Sequence, residues 1–418
     1  MTERLLQFIW QFQYFNKSEL TTTTGEPIHL ISHGSFNTNQ GPDFMNAKIR
    51  IGSTLWAGSV EMHIHTSDWK KHNHQKDKNY KNVILHVVWE DDGHLDDIPI
   101  LELKSRVPKL LLLRYQELMD STAFIPCEKS IHTVKEIAWK SWKERLLAER
   151  LLSKSKTVET YLEQNNHHWE ETFWWLLARN FGIKVNAGSF EDIARSISLK
   201  ILAKHKNHVY KLEALLFGQA GLLDKKFEEE YPTLLQKEYS IQQRAYNLRK
   251  VHEQPLFLRM RPGSFPTIRL AQLAVLVHDS AHLFSAIKEE NSIHAIKNLF
   301  AITAQDYWDT HYRFDEVSVF KKKRVGETMI GNIIINAISP LLFTYGQYHG
   351  EQQYKDKAIQ WLEETEAEIN TITTGFNEIG IISQTAYDSQ ALLELKTQYC
   401  DCKRCLDCSM GNFLLKTE

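Results

Sequence analysis

The hydrophobic period of this chain changes once, near residue 108, and that change restricts the folds open to it. Before it, the runs PIHLISH, DFMNAKIRIG, LWAGSVEMHIH, NVILHVVWE and PILELKS alternate, or stay apolar over short lengths, between Gly, Asp, Asn and Pro. Successive strand side chains point to opposite faces, so these runs predict strands with one or both faces buried. After Pro108 the apolar residues recur at i, i+3, i+4 and i+7, as in AWKSWKERLLAERLLSK, WEETFWWLLARNFG and GNIIINAISPLLFTYGQY. That spacing gathers them into one stripe on a helix. A first amphipathic helix is also predicted, with Leu5, Phe8, Ile9, Phe12 and Phe15 on one side. The expected division is an α/β (or α+β) domain over 1–108 with a mixed sheet, a mostly α-helical domain over 109–395, and a cysteine-rich metal-binding tail over 396–418.

A net charge of −2 provides no global positive field, so DNA or RNA would have to be held by a local basic patch. No uninterrupted run reaches the roughly 18 apolar residues of a membrane span. No membrane partner is therefore expected, and a cytoplasmic location is. Oligomeric state is not legible.

Within the strand-like part, one stretch concentrates groups that bind metals and move protons near neutral pH. GPDF brings Asp43, GSVEMHIHTSDW brings Glu61, His63 and His65, KKHNHQKDKNY brings His72 and His74, and NVILHVVWE brings His86. Glu61 and His63 alternate correctly to share a strand face, about 6.7 Å apart along it. The loop before Gly41 adds Asn37 and Gln40 as candidate substrate-binding residues. A second reading uses the imidazoles alone: His63, His65, His72 and His74, with Asp68 or Asp77, have the chemistry of a Zn²⁺ site in a small-molecule hydrolase. HIHTSDW is close to the HxHxDH signature of metallo-β-lactamase-type hydrolases, but Trp69 stands where that signature needs a histidine.

An acid after a Gly-Pro turn, a next strand with Glu-x-His, a crossover and a further strand together resemble the PD-(D/E)xK nuclease core, the restriction-endonuclease-like fold. The resemblance implies metal-dependent hydrolysis of phosphodiester bonds in nucleic acid, with Mg²⁺ or Mn²⁺ on Asp43 and Glu61. His63 takes the place of the usual lysine, and His65 or His86 would help it as base or ligand. The rival of another class is a non-catalytic nucleic-acid or protein-binding scaffold with a degenerate core. Across nearly the whole chain, GPDFMNAKI, GSVEMHIHTSDWKKHNH, NVILHVVW, EALLFGQAGLL, RPGSFPTIRLAQLA and YCDCKRCLDC resemble a bacterial family known as domain of unknown function 2851. That resemblance implies no activity of its own.

Four of the five cysteines fall in YCDCKRCLDC: Cys400, Cys402, Cys405 and Cys408. Such clustering suits a metal in a reducing compartment better than a disulfide scaffold. Zn²⁺ or an iron–sulfur cluster is expected there, and Cys127, in an Ile-Pro-Cys turn, could replace Cys402 as the fourth ligand. One distant and three terminal cysteines also resemble the iron–sulfur staple of some PD-(D/E)xK helicase-nucleases, although the order differs.

Elsewhere, Lys135 to Lys156 is rich in Lys and Arg, a candidate phosphate-tracking face or an ordinary solvated one. Arg259, Arg261 and Arg269 frame a Pro-rich turn leading into a helix, which makes Arg261 and Arg269 candidates for binding an anionic substrate.

Overall fold

The computed structural model describes every residue except 94, 96, 259, 281, 417 and 418, so Arg259 lies outside the described residues. The chain forms two compact units, Met1–Trp142 with Leu395–Glu418, and Lys143–Glu394.

The first unit opens with helix α1 (Glu3–Gln11), followed by strands β1 (Ile28–Ser32), β2 (Ser35–Phe36), β3 (Phe44–Ile51) and β4 (Thr54–His65). A short crossover contains helix α2 (Asp68–Lys71) and the 3₁₀ turns His74–Lys76 and Lys78–Tyr80. It leads to β5 (Val83–Glu90) and β6 (Ile100–Glu102). The sheet runs β1-β3-β4-β5-β6, with β2 paired to β3. Its first part is antiparallel, whereas β4, β5 and β6 are parallel. The fold is thus mixed α/β at the N-terminus and mainly helical afterwards, as the change of period predicts.

Strand alternation decides what each face of the sheet carries. Val60 and Met62 of β4, with Leu85 and Val87 of β5, join Leu5, Leu6, Phe8, Ile9 and Trp10 of α1 in one apolar core. Burying a side chain of this size contributes about 1.5–3 kcal/mol, which fixes the register: a one-residue slip would turn this set outward. The intervening residues Glu61, His63 and His86 therefore have to be buried on the other face. Phe12 departs from expectation. It lies just past the end of α1 and is 39% exposed. Gly58 is needed where β5 begins, because a Cβ there would stand 2.4 Å from the Asn82 carbonyl.

Helix α3 (Lys109–Asp120) sends Leu111 and Leu118 into the core that the sheet uses, and Cys405 and Leu415 enter it too. This shared core is why the first unit extends past residue 108 and takes in the cysteine segment.

The second unit is a helical assembly with a small hairpin, His311–Arg313 and Glu316–Val317. Its helical run Glu327–His349 has a window of mean hydropathy 1.4 and is long and apolar enough to cross a membrane. Asn332, Asn336 and Ser339 interrupt its apolar residues, so it contains no uninterrupted apolar run of that length. In the structure 78% of that window is buried. Ile330, Ile333, Ile334, Leu341 and Leu342 line the core of the unit, so the run serves as a core helix.

Candidate functional site

Beneath the crossover, the polar face of β4 and β5 gathers a cluster of imidazoles around a buried glutamate. Parallel pairing sets Glu61 opposite His86 and carries His63 two residues along the same face. The crossover then folds back and lays His72 and His74 over them. His63 is at the centre. Its Nδ1 lies 2.8 Å from His86 Nε2, and its Nε2 lies 3.0 Å from His72 Nδ1. Glu61 Oε1 stands 3.6 Å from His63 Nε2 and 3.5 Å from His74 Nε2. His74 Nε2 is buried without a hydrogen-bond partner.

Aromatic rings hold this arrangement. Tyr80 stacks on His74 with centroids 3.8 Å apart, and the buried Trp69 indole packs against the rings of His74 and His86 at 5.3 and 5.4 Å. Trp69 thus fills a wall of the cluster at the position where a further histidine ligand would have stood.

Asp43 sits at the lip of β3. Its backbone N–H donates to Glu61 Oε2 at 3.0 Å, while its carboxylate accepts from the Met62 N–H at 3.1 Å and from Gln7 Nε2 at 2.9 Å. The two acids are locked together, but Asp43 spends its oxygens on Gln7 and Met62. Glu61 alone is aimed at the imidazoles.

Burial sets the electrostatics. It pushes the Glu61 carboxyl up, and the charge on Asp43 pushes it further; burial also raises Asp43. Burial pulls His63 down to about 3, reinforced by His86, His74 and His72, and takes His86 to about 4. His74 is lowered for the same reason. At neutral pH His63, His74 and His86 therefore stand as uncharged imidazoles beside an acid that resists ionising. A bound cation would reverse both tendencies.

The donor set suits a metal. Among the described residues, His63, His72 and His74 bring one ligand atom each to within 4.8 Å of one another. Nitrogen and oxygen ligands 2.0–2.1 Å from a tetrahedral ion stand about 3.3 Å apart, close to the separations found around Glu61 Oε1 and His63 Nε2. With His63 Nε2 on an ion, its Nδ1–H would donate to His86, the outer partner that fixes a ligating imidazole.

The other candidate residues have local duties. His65 lies on the same face of β4 but outside the trio, its N–H held at 3.0 Å by Asp68. Asp68 is committed to that bond and to Lys71, and Asp77 caps the Lys78–Tyr80 turn; their charges act on His63 and His74 without a hydrogen bond to either among the described residues. Asn37 shapes its loop, donating to the Pro42 carbonyl and accepting from the Asn39 N–H, while Gln40 is exposed on that loop. Arg261 and Arg269 belong to the second unit. There Arg269 donates to Gln272, one turn along its own helix. Much of the basic run on helix Glu136–Gln164 is engaged internally: Lys143 with Asp388, Arg145 with Glu149, Arg150 with Glu394 and Lys154 with Asn336 and Gln390. Sequence reasoning missed Gln7 and Tyr80. A glutamine on an amphipathic helix and a tyrosine closing a polar loop are common enough to carry no signal.

The profile of a family described as Protein of unknown function (DUF2851) matches residues 3–371. The chain belongs to that family. Comparison with curated proteins gave no match, and neither did comparison with solved structures.

Proposed function

We propose that the first unit hydrolyses phosphodiester bonds in nucleic acid with a metal ion held by Glu61, His63, His72 and His74. The observation that carries this reading is the His63, His72 and His74 trio, with Glu61 Oε1 3.6 and 3.5 Å from His63 and His74, beneath a lysine-bearing crossover. Lys70, Lys71, Lys76, Lys78 and Lys81 are all exposed on the segment that supplies His72 and His74. Asp68 and Asp77 lie on the same segment and Asp92 also acts on Lys71, which leaves a local excess of positive charge suited to a polyanionic substrate.

The chain order also supports it. A helix, an antiparallel meander, a crossover and a parallel strand, with acids just before the second main strand and within the third, are similar to the order expected of a PD-(D/E)xK core. Three imidazoles and one carboxylate favour Mn²⁺, Zn²⁺ or Fe²⁺ over Mg²⁺, which prefers oxygen ligands. Such an ion supplies Lewis acidity and lowers the pKa of water. Asp43 orients Glu61, His86 fixes the His63 ring, and the lysines draw in phosphate.

One observation favours the scaffold reading. Four protein groups around an ion resemble a closed structural site, whereas catalytic zinc sites keep an open position. Cleavage assays on DNA and RNA with Mn²⁺, Zn²⁺ and Mg²⁺, alongside metal titration, separate the two. Metal-dependent cleavage lost in Glu61→Ala is expected. Metal without cleavage of any nucleic acid, or no divalent binding that depends on Glu61, would leave the scaffold.

A further inference from the structure

The second constellation of metal-binding groups lies at the other end of the chain, and the fold chooses among its cysteines. Cys127, Cys400, Cys405 and Cys408 line one cavity, together with Ile125, Ile131, Tyr399 and Met410. Cys402 is absent from that lining. It is exposed, and its Sγ–H faces the Thr397 carbonyl at 3.6 Å. Cys405 and Cys408 are each 7% exposed. We propose that Cys127, Cys400, Cys405 and Cys408 hold one thiophilic metal centre, zinc or iron–sulfur, and that Cys402 takes no part.

Local structure is arranged for this convergence. Cys127 sits in a turn closed by the Ser130 and Ile131 N–H groups, which donate to its carbonyl at 3.0 and 2.8 Å. Cys400 ends the π-helical turn Leu395–Cys400, a widened winding often found at functional sites. Gly411 brings Cys405 close to the last helix, since a Cβ there would stand 2.0 Å from the Cys405 carbonyl oxygen. Burial pushes the Cys408 thiol up, and the Met410 and Gly411 N–H groups beside its sulfur act against that. The segment is also tied to the start of the chain: Arg4 pairs with Asp407, and Tyr14 donates to Asn412 at 2.7 Å.

The test is metal content, needing no activity. Full-length protein purified without oxygen is analysed for iron, acid-labile sulfide and zinc, beside Cys127→Ser and Cys402→Ser. Iron with sulfide and a broad visible absorption, or one zinc per chain, supports the site and identifies the centre. Cys402→Ser should keep that content and Cys127→Ser should lose it. Wild-type protein holding neither metal, including after anaerobic reconstitution with iron, sulfide or zinc, overturns the proposal even if the Cys127 variant fails to fold. So does a metal content that Cys127→Ser leaves unchanged or that Cys402→Ser lowers, any ion on the histidine cluster being common to all three proteins.

Discussion

Among the glutamates buried in the described residues, Glu61 of the sheet unit and Glu213 of the helical unit have surroundings that differ in kind. Glu213 of the helical unit is fully buried, yet Tyr231 Oη donates to it at 2.8 Å and the Trp308 indole N–H at 3.1 Å. Its carboxyl is answered by neutral donors and needs nothing further. Glu61 of the sheet unit is 5% exposed, and the oxygen it turns inward meets imidazole nitrogens whose low basicity keeps them uncharged. Burial raises both acids, so a raised pKa does not separate them. The difference lies in what stands opposite the carboxyl. Donors make a structural group, while lone pairs make a place for a cation.

The sharpest way to break this contrast is to neutralise each acid without changing its shape. Glu61→Gln should weaken divalent-metal binding by more than about 100-fold, since losing partners one shell out already costs 10–100-fold. Glu213→Gln should leave the metal isotherm where it was. Titration calorimetry with Mn²⁺ or Zn²⁺ on both variants decides it. If Glu61→Gln binds as well as wild type, the two glutamates are alike after all.

Asp43→Asn probes the next layer. The substitution keeps the backbone bond from residue 43 to Glu61 and one acceptor for the Met62 N–H, but removes a charge beside Glu61. If Asp43 positions Glu61, affinity should fall about 10–100-fold while the metal still binds. A loss as complete as that in Glu61→Gln would make Asp43 a ligand, restoring the acidic-pair site that the sequence suggested.

That distinction marks how far the sequence could be read. Alternation along β4 was enough to place Glu61 and His63 together and to send Val60 and Met62 to the core, because the period of a strand is a local property. His72 and His74 were visible as residue types, but not as partners of His63. Their position depends on how a crossover of short turns folds over the sheet, which no period encodes. The engagement of Asp43 by Gln7 was illegible for the same reason: the bond joins α1 to the lip of β3 across 36 positions. The cysteine segment shows the same limit, since spacing alone left Cys127 and Cys402 as alternatives and only the packed turn around Cys127 separates them.

The smallest expected effect concerns Glu213 and tests the structural side of the contrast. Burial raises its carboxyl to about 7, against an ordinary value of 4.5. Between those values the folded state binds more protons than the unfolded one. The stabilising contribution is therefore complete below about pH 4.5 and is lost as pH rises toward 7, with a slope of at most about 1.4 kcal/mol per pH unit. For a unit of this size that corresponds to about 2–4 °C per kcal/mol in Tm. Glutamine mimics the protonated acid and cannot ionise, so Glu213→Gln should gain on wild type as pH rises from 5 to 7, and the gap should then stay constant. Melting curves at half-unit intervals, with chelator present to remove any metal contribution, measure that gap. A gap independent of pH would mean that Tyr231 and Trp308 hold Glu213 ionised throughout, and the helical unit would then bury a charge without a cation beside it.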